Sequence, residues 1–520
     1  MPLCDTGVLS LLLSEFRRSM KRLLADLCDD LEQSYPGAVQ QLGLPLDFFR
    51  LLERSFRLEN FSGWKVVGWI EALNDLAYFV DLRDQLRRDA EPAGFAEQLY
   101  AECEEKFYEN SYLDELFPTG RPQVRGLDGR LRNLCARLGQ EVLQESLFFF
   151  PDLPCDWVAM RHREEWKVPA NLSANFERAE PDGAVSIGMD GAYAAVPASL
   201  SNKIRRSRTR PSFLIRHRGI WLGAGRLHST VFTCRTSVSW EWSVHDPIWI
   251  RQKSGSAMTV GPTLVYGKRK VPIAVKPTAK TVVARIERAL AVIGQAWPEG
   301  WDVLSLLTSR IVPLKADGVV SFSYRHRPGL SFINCFDRDD LDLIDDLIHE
   351  NSHHHLNLLL RKQVLYRGDR NREIFYSPWR RSLRPLRGIL HATFTFAMGA
   401  MLFERLSTWA KGRSGVASWK RAGLTQHDLL RARFRCLEEL ESVRYSIQDL
   451  EYAARHLGWL TGSGQRLVGQ LAEAIGKIEQ NIAPFKKEAL RSKFGPSLLR
   501  HVKELQRARR TYGPVRLGKV

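Results

Sequence analysis

The sequence lacks several patterns that mark whole classes of protein. None of its eight cysteines belongs to a Cys-x-x-Cys pair, which argues against a zinc ribbon and against a compact disulfide framework. The longest apolar stretch without a formal charge, residues 388–403, is 16 residues long, short of the roughly 18 that a membrane span needs. There is no internal repeat and no low-complexity tract. We therefore expect a globular protein with no membrane partner, and the scattered cysteines favour a cytoplasmic location.

Positive charge is plentiful but unevenly placed. The 520 residues hold 76 Lys and Arg against 59 Asp and Glu, a formal charge of +17. Residues 1–150 carry 17 basic and 25 acidic side chains, net −8, so residues 151–520 carry 59 and 34, net +25. This asymmetry keeps one alternative open, a non-catalytic nucleic-acid-binding protein with a structural metal. Because no nucleic-acid-binding module is recognisable, we do not expect nucleic acid to be the partner.

The spacing of apolar residues changes along the chain. Near the start of the chain, apolar residues recur every three or four residues, as on a helix. Residues 238–244 instead alternate between apolar and polar, as in a strand, and strands Val319–Tyr324 and Leu330–Phe336 are predicted to form a hairpin. Helical periodicity then resumes and continues almost to the end. The sequence predicts an α+β, mostly α fold in three regions: a helical region at 1–150 that is a candidate for peptide recognition, a mixed region with antiparallel strands at 151–340, and a helical catalytic region at 341–520.

The most informative stretch is residues 341–360, LDLIDDLIHENSHHHLNLLL, which contains an H-E-x-x-H motif. On a helix, His349 and His353 lie about 40° apart on one face, so both imidazoles reach a single metal ion. Glu350 lies beside them, where a carboxylate moves a proton on a metal-bound ligand or orients the site. The motif directly follows the predicted hairpin, the placement of metal-site helices in zincin-like enzymes.

A catalytic ion needs at least a third protein ligand. His391 is the leading candidate, because it lies within the apolar stretch 388–403, which is expected to form a buried helix. Glu404 is an alternative, since thermolysin-like peptidases take their third ligand from a glutamate on a downstream helix. His354 and His355 are further alternatives, although they are expected to be surface or supporting histidines. From the residues alone these alternatives stay open.

The stretch around the motif resembles a known family, the HExxH-motif peptide-modification proteins. The matching segments are LIHENSHHHLN at 347–357, Pro-Trp-Arg at 378–380, Arg-Pro at 384–385, and Leu-His at 390–391 before two phenylalanines. These proteins are regarded as iron- and 2-oxoglutarate-dependent peptide β-hydroxylases of ribosomally synthesised natural-product pathways. The resemblance is specific over 349–396 and looser over 311–465. The chain departs from the family's usual pattern at Asn351-Ser352, Ser382-Leu383 and Ala392.

The resemblance implies a set of metal ligands. The family's H-E-x-x-H maps onto His349, Glu350 and His353, and its Leu-His element maps onto His391. Such a site would hold Fe(II), 2-oxoglutarate and O2, with Glu350 as the catalytic carboxylate.

The resemblance also implies a carboxylate-binding group and a peptide partner. Arg380 and Arg384 are the candidates for binding the distal carboxylate of 2-oxoglutarate, because a guanidinium holds both oxygens of a carboxylate. The expected partner is a precursor peptide, acidic because the region around the site is positive. The predicted strand Leu330–Phe336 is a candidate for pairing with an extended peptide by edge addition.

The main alternative activity is that of a zinc metallopeptidase. In that interpretation Glu350 is the general base on a zinc-bound water, and no cosubstrate is needed. The H-E-x-x-H motif alone does not distinguish the two activities. The Pro-Trp-Arg and Leu-His elements favour the hydroxylase.

Overall fold

The computed structural model describes residues 3–44, 46–88, 92–107, 112–149, 278–368 and 372–514, together with strand segments between residues 186 and 276. The predicted strand at 238–244 lies outside the described residues. The structure is mostly helical with a few small sheets, which confirms the α+β, mostly α fold. The chain divides into two compact units. The metal-site unit comprises Met1–Phe16, Ile248–Val260 and Thr278–Val520, and the second unit comprises Arg17–Pro247 and Gly261–Pro277.

Helices make up most of the described part of residues 3–149. They are α1 (Thr6–Ser34), α2 (Pro36–Leu42), α3 (Leu46–Ser55), α4 (Trp64–Arg88), α5 (Pro92–Glu105), α6 (Tyr112–Leu116) and α7 (Leu127–Phe149). Pro36 starts α2, where its missing N–H costs nothing, and Gly43 ends it in the left-handed conformation at φ 66°. Trp69, Phe79 and Phe117 are fully buried side chains of this region. Bulky aromatic burial of this kind stabilises a helical unit.

The second unit also contains a small antiparallel sheet and a pair of strands. The sheet has the strand order β1 (Ser186–Met189), β2 (Phe213–His217) and β3 (Ile220–Gly225). In addition, β6 (Thr263–Tyr266) pairs antiparallel with β7 (Pro272–Lys276).

A mixed sheet forms one layer of the metal-site unit. Its strands are β4 (Ile248–Arg251), β5 (Ala257–Val260), β8 (Arg310–Lys315), β9 (Phe322–Ser323) and β10 (Leu330–Asn334), in the order β4-β5-β8-β10-β9. β8 and β10 run parallel, while β9 and β10 form the expected antiparallel hairpin, with β9 reduced to two residues. Because β10 is paired on both sides, the expectation that it offers an open edge to a peptide is wrong.

Helices complete the metal-site unit around this sheet. They are α8 (Lys280–Ala296), α9 (Pro298–Leu307), α10 (Asp340–Lys362), α11 (Leu386–Trp409), α12 (Gly412–Arg421), α13 (Gln426–Arg455), α14 (Gly462–Arg491) and α15 (Gly495–Tyr512). A short hairpin of β11 (Phe375–Ser377) and β12 (Ser382–Arg384) precedes α11. The helix α10 begins at the Asp339 side chain, which accepts the backbone N–H of Asp342 at 2.9 Å. Such a carboxylate cap also suits the positive end of the helix dipole.

Helix α11 is the apolar centre of the metal-site unit. Among the described residues it is the one helix long and apolar enough to cross a membrane. About two thirds of its most apolar stretch is buried inside the protein, and Ile389, Leu390 and Phe394 are fully covered. Its apolar surface is thus already used in packing, which is typical of a core helix and agrees with the expected buried helix at 388–403.

Candidate metal centre

The H-E-x-x-H motif lies in the middle of α10 and forms a compact group of potential ligands. One ligand atom from each of His349, Glu350 and His353 lies within 4.8 Å of the other two. The two imidazole centroids are 5.0 Å apart, as the one-turn spacing requires. Both histidines are partly exposed, so solvent and ligands reach this face of the helix.

Helix α11 runs antiparallel to α10 and brings His391 beside the motif. His391 packs next to His353, with ring centroids 6.3 Å apart, while Phe396 lies 5.0 Å from His349. The later residue of α11, Phe396, contacts the earlier residue of α10, His349, so the two helices run in opposite directions. His391 is partly exposed and its ring lies beside that of His353, while the ligand atoms within 4.8 Å of one another belong to His349, Glu350 and His353.

Glu404 lies away from the motif. Phe396 already faces His349, and Glu404 lies eight residues further along α11, a displacement of about 12 Å along the helix axis. Its carboxylate accepts a hydrogen bond from Thr408 Oγ1 at 3.0 Å and lies 3.7 Å from the guanidinium of Arg405. The structure therefore does not support Glu404 as a ligand of this centre.

His354 is a core histidine, so the expectation that it lies at the surface is wrong. It is 4% exposed, and Nδ1 accepts the backbone N–H of Gly329 at 3.3 Å. That bond leaves the proton on Nε2, which donates to Ser331 Oγ at 3.0 Å. Burial lowers the pKa of His354 to about 4, so the ring is neutral. With both nitrogens engaged by β10 and the turn before it, His354 has no lone pair left for a metal.

His355 is also buried, on another side of α10. Its ring packs edge-on against Phe394 of α11 at 5.0 Å, and burial lowers its pKa to about 4. Within the described part of the chain its Nδ1 has no hydrogen-bond partner. Two residues beyond His353, it is rotated about 200° from that ligand, so it does not join the motif.

The environment of the two motif histidines favours the neutral, metal-binding form. Burial lowers the pKa of His349, and the charges of Arg435 and Arg380 lower it further, while Asp345 opposes the shift. Burial, followed by the neighbouring histidines, holds the pKa of His353 well below its usual value. A neutral imidazole offers its lone pair to a metal without first losing a proton. A set of two or three such nitrogens fits a first-row divalent ion such as iron or zinc.

Glu350 is the buried acid of the group. It is 3% exposed, and burial raises its pKa to about 8, with a further contribution from the charge of Asp346. The neighbouring Ser323 hydroxyl, on β9, opposes the shift. Among the described atoms, Oε2 of Glu350 has no hydrogen-bond partner. A buried oxygen without a partner beside two potential ligands fits a role toward a metal-bound water or substrate.

The β11–β12 hairpin carries the Pro-Trp-Arg element to the centre. Its connection ends at Arg381, which has φ 52° and is the one non-glycine residue with positive φ in the described ranges. The charge of the exposed Arg380 is close enough to lower the pKa of His349. Arg384 is also exposed but pairs in register with Phe375, at the end of the hairpin away from the connection. The charge of Arg380 thus acts on His349 of the candidate metal centre, whereas Arg384 lies at the opposite end of the hairpin.

Some residues near the centre were given no role from the sequence. Asn357 lies one turn beyond His353, is 9% exposed, and its Oδ1 has no partner in the part of the chain that the structure describes. Its spacing of four residues from the motif is a signal that sequence reasoning had available. Ser323 of β9 and Glu439 of α13 reach the site from other elements, and no local spacing indicates them.

Comparison with known proteins adds no relative. No family model matches the chain, and no curated protein matches it. The chemistry of the centre is therefore inferred from its own residues and from the motif resemblance.

Proposed function

We propose that the protein is a peptide-modifying oxygenase that uses Fe(II) and 2-oxoglutarate to hydroxylate the β-carbon of a residue in a ribosomally made precursor peptide. The observation that carries the proposal is the meeting of His349 and His353 with His391 from the facing helix, next to a hairpin that holds Arg380. Three imidazoles and a nearby guanidinium are the groups that such an enzyme needs, and the motif resemblance supports the same assignment.

Each of these residues has a distinct task in the proposed enzyme. His349, His353 and His391 would hold the ion and leave room for other ligands on it. Arg380 would bind the distal carboxylate of 2-oxoglutarate through its paired N–H groups. When bound, Fe(II) and 2-oxoglutarate supply, with O2, the oxidising chemistry of the hydroxylation. Trp379 and Phe396 form an apolar wall that limits the access of water to one side of His349.

The proposed partner is an acidic peptide in the cytoplasm. Residues 151–520 carry a net charge of +25, which attracts an acidic chain over long range. The cysteines in the described ranges, at positions 4, 28, 103, 135, 335 and 436, are all free, as expected in a reducing compartment.

One observation favours the zinc metallopeptidase as a second candidate. The buried carboxyl of Glu350, with its pKa raised to about 8 and one oxygen without a partner among the described atoms, has the properties of a general base that works near neutral pH. In that enzyme the same histidines would hold zinc, and Glu350 would take the proton from the attacking water. The role of Arg380 separates the candidates, because a peptidase does not need a cation for 2-oxoglutarate.

The test is a turnover assay with the full chain purified without oxygen. The protein is loaded with Fe(II) or with Zn(II), and succinate release is followed with and without 2-oxoglutarate, O2 and candidate acidic peptides. We expect succinate only with Fe(II) and O2, accompanied by a gain of one oxygen atom in the peptide mass. His353→Gln should abolish turnover, while Glu404→Gln should retain it. Cleavage of the peptide with Zn(II) alone would establish the peptidase instead.

A further inference from the structure

A buried glutamate on α13 binds the hairpin that carries the Pro-Trp-Arg element. Trp379 Nε1 donates to Oε2 of Glu439 at 2.8 Å, and the carboxylate is only 3% exposed. The indole lies flat on the ring of Phe396, with centroids 4.4 Å apart and planes 7° apart. Phe396 in turn packs against the imidazole of His349 at 5.0 Å. A continuous set of contacts therefore leads from Glu439 to the first histidine of the motif.

The other oxygen of the same carboxylate leads back to α10. Oε1 of Glu439 accepts a hydrogen bond from Arg435 Nη2 at 3.1 Å, and the same nitrogen donates to Oδ2 of Asp345 at 3.1 Å. Asp345 lies one helical turn before His349. Glu439 is thus the point where two sets of contacts meet, one through the aromatic rings and one through the ion pairs. Both end at the same segment of α10.

We propose that Glu439 is a positioning residue for the metal centre: it fixes the indole of Trp379, and through it both the Phe396 ring against His349 and the placement of the adjacent Arg380. This inference deepens the proposed function and rests on it for the identity of the ion. The contacts themselves do not depend on which metal binds. A buried carboxylate that holds the residues around a ligand histidine tunes metal affinity without touching the metal.

The chemistry of the contact explains why the residue is a carboxylate. Trp379 and Arg435 both donate, and each has its own oxygen of Glu439 as acceptor. A glutamine at this position has a single acceptor oxygen, and its NH2 group faces one of the two donors. In Glu439→Gln one donor therefore loses its partner in a buried place, and the hairpin or the ion pair must move.

The variants separate this role from general damage to the helix. Trp379→Phe removes the indole–carboxylate bond and keeps an aromatic ring on Phe396, whereas Glu439→Gln leaves a single acceptor oxygen for the two donors. Glu438→Gln is the matched control, because Glu438 also lies near Arg435, at 3.8 Å, without being bonded to Trp379. The double variant of Glu439 and Trp379 tests whether the two residues act together.

Two measurements on the full chain are read side by side. In the first, Co(II) alone is titrated without oxygen, and its affinity is measured by competition with a chelator. We expect about a tenfold loss in Glu439→Gln and in Trp379→Phe, little further loss in the double variant, and wild-type affinity in Glu438→Gln. In the second, hydrogen exchange of the amides of residues 375–384 is followed without metal, and it should be several-fold faster in Glu439→Gln and in Trp379→Phe but unchanged in Glu438→Gln.

The outcomes distinguish this inference from the proposed function. If the Co(II) affinity and the hairpin amides of Glu439→Gln change as expected but the wild type releases no succinate with Fe(II), 2-oxoglutarate and O2, the positioning role stands and the proposed function fails. If Glu439→Gln matches wild type in both measurements, or if Glu438→Gln is equally damaging, Glu439 is not the positioning residue.

Discussion

Two faces of helix α10 carry the same kind of side chain in opposite settings. His353 is partly exposed and faces His349 and His391, whereas His354 is 4% exposed and bonded through both ring nitrogens to the β10 side. The residues are adjacent, and the helix turns about 100° between them. The difference in burial and bonding therefore comes from the neighbouring element. The face of His353 lies against helix α11 with a third histidine, and the face of His354 lies against the sheet, which supplies donors and acceptors. A run of histidines can thus combine an open face, here that of His349 and His353, with a packed face, here that of His354.

Removing a ligand from the open face should have the largest effect. We expect His349→Gln to lose stoichiometric Fe(II) or Co(II) binding, because the remaining residues no longer place two nitrogens one turn apart. Metal content after anaerobic loading and desalting measures this. Circular dichroism should show an unchanged helix content, because this ring is partly exposed. Retention of a full equivalent of metal would remove His349 from the ligand set.

The second largest effect on metal binding is expected for His391 of helix α11. His391→Gln should weaken metal affinity by about 100-fold and leave residual binding by the His349–His353 pair, as expected when one of three ligands is lost. Glu404→Gln on the same helix is the control and should bind like wild type. If the Glu404 variant were the one that lost metal, the assignment along α11 would be wrong.

The hairpin beside the open face should act on the cosubstrate rather than on the metal. Arg380→Ala should raise the KM for 2-oxoglutarate about tenfold or more, because the distal carboxylate loses its cation, while Fe(II) affinity changes little. Steady-state kinetics with varied 2-oxoglutarate measures the effect. Arg384→Ala, at the other end of the hairpin, should leave this KM unchanged, and an equal rise in both variants would point to general positive charge instead.

The packed face should affect stability and not metal binding. His354→Ala removes the ring that is bonded to Gly329 and Ser331, and it should lower the free energy of unfolding by about 1–3 kcal/mol. Urea denaturation of the metal-free protein measures this. Fe(II) affinity in the folded variant should match wild type, and a marked loss would show that the two faces of α10 are not independent.

The open face was more predictable from the sequence than the packed face. The helix and the shared side of His349 and His353 follow from local periodicity, and the long apolar stretch indicated a buried helix around His391. The burial of His354 depends on β10 and its preceding turn, which local spacing does not bring to the helix. For the same reason no pattern indicated Glu439, which reaches the hairpin from α13 across 60 residues of chain.

The most direct test of the metal centre compares the identical substitution at two neighbouring positions. His353→Gln and His354→Gln are each loaded with Fe(II) without oxygen, and the iron content per chain is measured by inductively coupled plasma mass spectrometry. We expect one equivalent of metal per chain in wild type and in His354→Gln, and none in His353→Gln. A full equivalent in His353→Gln, or its loss in a folded His354→Gln, would contradict the assignment of the metal to the face that His353 shares with His349 and His391.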